Sequence, residues 1–422
     1  MSLIIAGIGV FVMAYCMIKR YETRLVLLCT GIIMALCAGE PMAPFKAFSH
    51  ALQESRVFEA IVSVMGFAFV MKATECDQHL IQALVKPLRN VGPLLIPCAT
   101  LVTFFCNISI ASSAGSAAAV GSILIPILLA AGVHPATAAA CVWAGTFGNM
   151  LNPGFGQVAV IAQVTQSSNM EIVANHFYPT IVAVVLGAIA ILAVAHWLKE
   201  DKGYVLPEDL RLADHFKVHP VKALVPLLPL TLLMLGNFGL VPVLKQLAIS
   251  HAMIIGCFCA FLVTRVNPQK ISKEFWLGAG DAFGHIVGII ICALVFVSGL
   301  RALGAIDAMT SFMAQMPDFA RASSAIGPFI LAVLSGSGDA AGVAFNRAVT
   351  PEAVKFGLSA LDMGSMAALA GALGRTMSPL AGGMIICSVL AGCSPMDAAR
   401  RNAPGMIIAC AVAMILLYYK PF

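Results

Sequence analysis

Long apolar stretches alternate with short polar ones along almost the whole chain. Apolar runs fall at 2–18, 25–38, 57–74, 133–150, 176–198, 222–243, 250–264, 281–300, 363–393 and 404–419. A helix needs roughly 17–25 such residues to cross a bilayer, so the pattern predicts an all-α polytopic membrane protein. One stretch breaks it. VLSGSGDAAG, residues 333–342, sets two serines, three glycines and Asp339 where hydrocarbon is expected on both sides. A carboxylate is costly at that depth and marks a functional site by default.

Composition agrees with the pattern: 60% of the 422 residues are hydrophobic and 11% charged, against about a quarter charged in soluble chains. The first run has its basic residues (Lys19, Arg20, Arg24) after it rather than before it. A secretory signal peptide has the reverse order, so the segment is expected to be retained with the N-terminus outside. The thirteen cysteines, Cys29, Cys106, Cys141 and Cys387 among them, stand singly in apolar runs without CxxC or Cys/His ligand spacing, and read as packing. The formal charge of +5 bears on topology rather than on nucleic acid, and no nucleic-acid partner is expected.

The basic residues sort into alternate loops. Lys19, Arg20, Arg24, Lys72, Lys86 and Arg89 fall in the early ones. Lys199, Lys202, Arg211, Lys217 and Lys222 occupy the central loop, followed by Arg265, Lys270, Lys273, Arg400 and Arg401. If these loops are cytoplasmic, sixteen basic residues lie inside. Seven (Lys46, Arg56, Lys245, Arg301, Arg321, Lys355, Lys420) lie outside, which sets the orientation by the positive-inside rule and puts both termini in the periplasm.

The chain also resembles itself. AGTFGNMLNPGFGQ from 144 aligns without a gap on AGALGRTMSPLAGG from 370, an offset of 226. SSAGSAAA (112–119) falls on SGSGDAAG (335–342) at 223, and residues 56–71 on 281–296 at 225. An outside N-terminus and an inside central loop demand an odd number of crossings between them. The count is odd only if 91–132, broken at ASSAGSA, enters and leaves on one side. The expected architecture is therefore two inverted repeats, each with a re-entrant hairpin and an interrupted transmembrane helix, which is a transporter plan. The first repeat is 1–198, with its hairpin at 91–132 and interrupted helix at 133–165. A cytoplasmic linker loop spans 199–221. The second repeat is 222–422, with its hairpin at 327–350 and interrupted helix at 363–393, and the hairpin tips are expected at 112–119 and 335–342.

Broken backbone survives at membrane depth only where it is buried in protein or lines a watery cavity. Besides the two tips, GNMLNPG (148–154) and GRTMSPLAGG (374–383) are expected breaks, since Pro153 and Pro379 each remove a donor and clash with the preceding turn. Each break leaves N–H groups that favour anions and carbonyls that favour cations. The site is built for a carboxylate with a small cation. The expected substrate-binding residues are Ser112, Ser113, Gly115, Ser116, Asn149, Asn152 and Pro153 from one half. From the other come Ser335, Gly336, Ser337, Gly338, Arg375, Thr376, Ser378 and Pro379. Arg375 can meet a carboxylate bidentately or partner Asp339 or Asp362. Asp339 stands for ion coupling together with Asn152 and Ser378, for an ion pair with Arg347 or Arg375, or for a solvated tip position. Na+ at the hairpin tips or H+ is the expected coupling ion. His176 and His285 read as interfacial or hydrogen-bonded structural residues near helix starts, and Lys72, Thr74 and Glu75 as the cytoplasmic end of a helix. No Walker A sequence, nucleotide fingerprint or metal-ligand cluster is present, so neither ATP nor a cofactor is expected, nor is enzyme activity.

SGSGDAAGVAF followed by LGRTMSPLAGGMIICSVLAGCSPMDAARRNAPG resembles the anaerobic C4-dicarboxylate carrier family, a branch of the ion transporter superfamily. The likeness extends to the KRYETR loop and both expected hairpins. Gly336, Ser337, Gly338, Arg375, Ser378 and Pro379 stand where the family pattern has the same residues; Asp339 departs from it, an amide being familiar there. The resemblance implies a homodimeric secondary carrier of succinate- or fumarate-like acids in the bacterial inner membrane, lipid around it. Its hairpins would move across the membrane against a scaffold formed by the helices opening each half. Related families carry monocarboxylates, citrate or amino acids, which remain the alternative substrates.

Overall fold

The computed structural model describes residues 2–19, 21–53, 55–87, 94–110, 112–205, 216–237 and 240–419, with the backbone alone at 18, 55–57, 310, 314 and 317. Arg20, Arg89, Arg211, Lys420, the side chain of Arg56, Ala111 and the 91–93 start of the expected first hairpin lie outside this description. The regular structure of the described residues is all helical, with no strand among them.

The first half opens with α1 (Ser2–Ile18), α2 (Thr23–Cys37), α3 (Ala43–Ala51), α4 (Ser55–Ala73) and α5 (Cys76–Val85). It continues through α6 (Leu95–Ser109), α7 (Ser113–Ala130), α8 (Pro135–Ala144), a 3-10 turn at Gly148–Leu151, α9 (Gly156–Thr165) and α10 (Asn169–Trp197). The second half opens with α11 (Pro220–Leu224), α12 (Leu228–Asn237), α13 (Ile249–Thr264), α14 (Pro268–Ala282), a π-turn at Phe283–Val287, α15 (Gly288–Ala302) and α16 (Ala305–Gln315). It closes with α17 (Pro317–Ser335), α18 (Gly338–Ala348), a 3-10 segment at Thr350–Phe356, α19 (Ala360–Thr376), α20 (Gly382–Ala391) and α21 (Pro395–Tyr419). Five stretches are long and apolar enough to cross a membrane: Ser113–Ala130, Asn169–Trp197, Pro220–Asn237, Pro268–Ala302 and Pro395–Tyr419. With the shorter apolar helices, they make this a polytopic membrane protein.

Local chemistry sets the helix ends. Ser112, Ser337 and Ser359 each accept a backbone N–H of the turn they open, satisfying donors that have no partner within the helix. Ser168 and Glu171 close a reciprocal capping box on α10. Proline stands at the start of α14, α17 and α21, where its missing N–H costs nothing.

These starts correct several sequence boundaries. Helix α17 begins at 317 rather than 327, α21 at 395 rather than 404, α10 at 169 rather than 176, and the helix read at 281–300 begins at 268. Pro328 and Pro404 lie inside α17 and α21; each helix runs through its proline into a polar first turn, because packed neighbours re-satisfy the freed backbone groups. The helix breaks are also narrower than 112–119 and 335–342. Helix α7 starts at Ser113 and α18 at Gly338, so Gly115, Ser116 and Asp339 are helical.

Two apolar clusters form the core. One joins α6 to α10 with α19, α20 and α21. The other joins α1, α2, α4, α13, α15 and α16 with α18 and its 3-10 extension. The helix breaks sit where the two clusters meet.

Candidate functional site

At the first break, the chain leaves α6 through Ile110 in an extended conformation and re-enters a helix at Ser113. Asn107 organises the gap. Its Nδ2 donates to the Ile110 carbonyl at 2.9 Å and to Ser116 Oγ at 3.0 Å, and its Oδ1 accepts the Asn149 N–H at 2.9 Å. Asn149 Nδ2 in turn donates to Ser113 Oγ at 3.2 Å. At the second break Gly336 turns the chain at φ +75°, a left-handed conformation that glycine adopts without steric cost. Ser337 then caps α18, its Oγ accepting the Ala340 N–H at 3.2 Å.

Each break is tied to the interrupted helix of its own half, and the ties correspond. Asn152 Nδ2 donates to the Ile108 carbonyl at 2.9 Å, and Ser378 Oγ to the Val333 carbonyl at 2.6 Å. A Cβ on Gly148 would lie 2.0 Å from the Phe104 carbonyl oxygen, and one on Gly374 would lie 2.3 Å from that of Phe329. Donors and glycines are 226 residues apart, and all four carbonyls match at 225.

The breaks open onto a cavity of about 470 Å³. Of the residues expected from sequence, Ser112, Ser113 and Asn149 line it from the first half, and Gly336, Ser337, Gly338, Asp339 and Arg375 from the second. The others lie away from it. Ser116 is buried against Asn107, Gly115 packs on its own N-cap, and Ser335 and Thr376 bond carbonyls of their own helices. Asn152 and Ser378 serve the ties, Asn152 and Pro153 line a small neighbouring pocket, and Pro379 faces an apolar groove.

Arg375 is 9% exposed. Its Nη2 donates to the Thr146 carbonyl at 2.9 Å, and the guanidinium lies 4.8 Å above the Trp143 ring, in range for cation–π attraction. Its Nε has no hydrogen-bond partner, and no carboxylate reaches it as an ion pair among the described residues. Asp339 acts on Arg375 through its charge, while its hydrogen bond goes to an amide. Its Oδ1 accepts from Gln157 Nε2 at 3.2 Å, and the same amide reaches the Gly338 carbonyl at 3.4 Å. Trp143 and Gln157 were missed by sequence reasoning. Both lie in the expected interrupted helix 133–165, beside its break, which was the only signal available. The opposite core cluster contributes Met65, Asp281, His285, Ile286, Ile289 and Ile290.

The histidines part company. His176 is fully buried, with Nε2 2.7 Å from the Met150 carbonyl and Nδ1 3.5 Å from Ser365 Oγ, a structural tie between α10, the 148–151 turn and α19. His285 is not near a helix start. It sits in the π-turn within 268–302, exposed to the cavity and 2.9 Å from Asp281. Thr74 bonds the Val70 carbonyl at the end of α4, and Glu75 turns the chain into α5.

The lining combines a buried guanidinium with an unused N–H, small hydroxyls and two helix N-termini, which suit an anion, with the carboxylates of Asp339 and Asp281, which suit a cation. Comparison with known proteins gives it a family. The family described as "C4-dicarboxylate anaerobic carrier" matches residues 1–420. A putative uncharacterized transporter of Haemophilus influenzae is 38% identical over 272 residues, 62% of this chain and 97% of that one. The anaerobic C4-dicarboxylate transporter DcuC of Escherichia coli K12 is 24% identical over 451 residues, 98% of this chain and 95% of its own. Among solved structures, Neisseria gonorrhoeae MtrF, described with a class of antimetabolite efflux pumps, superposes with a TM-score of 0.65 at 13% identity, over 91% of this chain and 86% of that one. That likeness shows the fold. The chain belongs to the C4-dicarboxylate anaerobic carrier family and is a transporter, not an enzyme.

Proposed function

We propose that this member of the carrier family is a secondary transporter of C4-dicarboxylates such as succinate and fumarate in the bacterial inner membrane, and that the cavity between the two helix breaks is its substrate site. One observation carries the reading: the buried Arg375 guanidinium faces the cavity with an unused Nε and no carboxylate partner among the described residues. Asp339 acts on the guanidinium only through its charge, from across the cavity and without a hydrogen bond, and a substrate carboxylate can supply the direct partner that a buried cation needs. Ser113 and Ser337 add hydroxyl donors, and the first turns of α7 and α18 add backbone N–H groups.

The matched ties of Asn152 with Ser378, and of Gly148 with Gly374, support two inverted repeats whose breaks are re-entrant hairpin tips. Two contacts support a same-side entry and exit for the first hairpin: the turn after α7 is bonded to the loop after α10, through His134 N to the Glu200 carbonyl and Tyr204 N to the Gly132 carbonyl, and α5 touches both α6 and α7. The gathering of both helix breaks and their interrupted helices at one cavity supports an elevator, in which 91–165 and 327–393 move against a dimeric scaffold. Transport is coupled to Na+ or H+, or runs as exchange, and Asp339 is the ionisable group on the tips for either ion. Asn107 Oδ1 and the Ile108 carbonyl each accept one protein donor and keep a second lone pair with which they could face a Na+ at the first tip.

The test is counterflow in proteoliposomes: labelled succinate should enter vesicles preloaded with unlabelled succinate, saturably and without ATP. Saturable counterflow with a monocarboxylate, citrate or an amino acid, and none with succinate, would select the alternative substrates.

A further inference from the structure

The cavity has one guanidinium for a substrate with two carboxylates. Among the described residues lining it, the charged or titratable side chains are Arg375, Asp339, Asp281 and His285. With His285 neutral, the lining carries one positive charge and two negative ones, and the second carboxylate of a dianion meets net repulsion. His285 is placed to change that balance.

The geometry around it is specific. The π-turn Phe283–Val287 interrupts an otherwise continuous helix from 268 to 302; π-turns are rare and gather at functional sites. Arg24, from the start of α2, donates from Nη1 to the Gly284 carbonyl within that turn and from Nε to Glu22. His285 Nδ1 lies 2.9 Å from Asp281 Oδ1 and 3.2 Å from the Asp281 carbonyl oxygen. Both acceptors engage the same ring nitrogen, which assigns the ring proton to Nδ1. In the neutral ring Nε2 then carries only a lone pair and cannot donate to a carboxylate. A proton added there makes it a cationic donor, and histidine is the side chain that ordinarily gains one near neutral pH.

We infer that His285, held by Asp281, is the partner of the substrate's second carboxylate. Proton uptake at its Nε2 makes the site selective for dicarboxylate dianions over monocarboxylates. The inference rests on the carrier reading above and names a specificity determinant on the wall opposite in the core to Arg375. Other charged groups near the turn are engaged elsewhere: Arg24 with Glu22 and Gly284, Glu59 of α4 with Ser250. Lys46 and His50 of α3, Lys72 of α4, His251 of α13, Asp307 of α16 and Arg347 of α18 stand on elements packed around this helix, and none lines the cavity.

The experiment measures binding of fumarate, a dianion throughout the range, and butyrate to purified full-length protein between about pH 6 and 8. Wild type should lose fumarate affinity as pH rises, by up to about tenfold per pH unit for one linked proton, while butyrate affinity stays level. His285→Gln should bind fumarate with a flat profile at the wild-type high-pH level and leave butyrate unchanged. His285→Arg, a fixed cation, should be flat with the fumarate preference kept. A His285→Gln protein with the wild-type pH slope and fumarate-to-butyrate ratio would overturn the role of His285 and leave the carrier reading standing. So would a pH slope retained by His285→Arg. Wild-type protein that bound no dicarboxylate at any pH would instead overturn the carrier reading.

Discussion

Arg375 carries the most weight of any single residue. Removing one partner of a buried, hydrogen-bonded charge pair costs about 2–5 kcal/mol, so Arg375→Gln should weaken succinate binding by about 30-fold or more while the protein still folds. Isothermal titration of the purified variant measures it. Asp339 is bonded to Gln157 rather than to a cation, leaving its charge for the coupling ion. Asp339→Asn should sharply reduce gradient-driven uptake. If Asp339 carries the proton, counterflow by this variant survives; if it holds a Na+, counterflow falls with uptake. Gradient-driven accumulation at the wild-type level would remove Asp339 from coupling. Serines, glycines and ionisable residues in an apolar run announce themselves by cost, and for that reason Ser113, Ser337, Asp339 and Arg375 were legible in the sequence. Trp143 and Gln157 were not, because an aromatic or an amide beside a break is ordinary in composition and reaches the cavity only through packing. Asp281 and His285 did carry a signal, acid and histidine four residues apart on one helix face; with the apolar run starting at 281, His285 read as a structural residue at a helix start.

Among the elements, the two breaks depend on helices that cross almost backbone to backbone. A methyl group on Gly148 or Gly374 would press on a main-chain carbonyl at 2.0 or 2.3 Å, and overpacking of this kind costs about 1–3 kcal/mol. Gly374→Ala should therefore lower the melting temperature in detergent and displace Arg375, one residue on, so that the loss of succinate affinity exceeds what the stability loss explains. The loop after α10 is anchored by Glu200, which accepts from Arg401 Nε at 3.0 Å and from Thr137 Oγ1. Burial raises the Glu200 carboxyl, but hydrogen bonds from Arg401 and Thr137 and the charges of Arg401 and His134 outweigh it and hold the group below its ordinary 4.5. A depressed carboxyl stabilises the fold above its unfolded value and loses that contribution as pH falls through the folded one. Glu200→Gln should melt below wild type at neutral pH, with the gap closing as the solution is acidified below about pH 4.5. Helix existence was legible from apolar length; helix starts were less so, because α14, α17 and α21 begin with polar turns that read as loop and are held by packing on neighbours.

For the molecule as a whole, hydropathy was enough to establish an all-helical membrane protein, since burial in lipid is a property of composition. The meeting of two apolar clusters at one cavity was not readable, as it depends on contacts between residues more than 200 positions apart. If the elevator reading holds, a cysteine pair joining α4, outside the moving segments, to α9, inside them, should trap one access state and stop turnover; verified cross-links that leave turnover unchanged would exclude a moving domain. The central claim is that a carboxylate substrate is held by Arg375 between the two breaks and carried across. Succinate counterflow in proteoliposomes, wild type beside Arg375→Gln at equal reconstituted amounts, tests it most directly. The account predicts saturable exchange by wild type and none above protein-free vesicles by the variant; exchange by Arg375→Gln at the wild-type rate and affinity would contradict it.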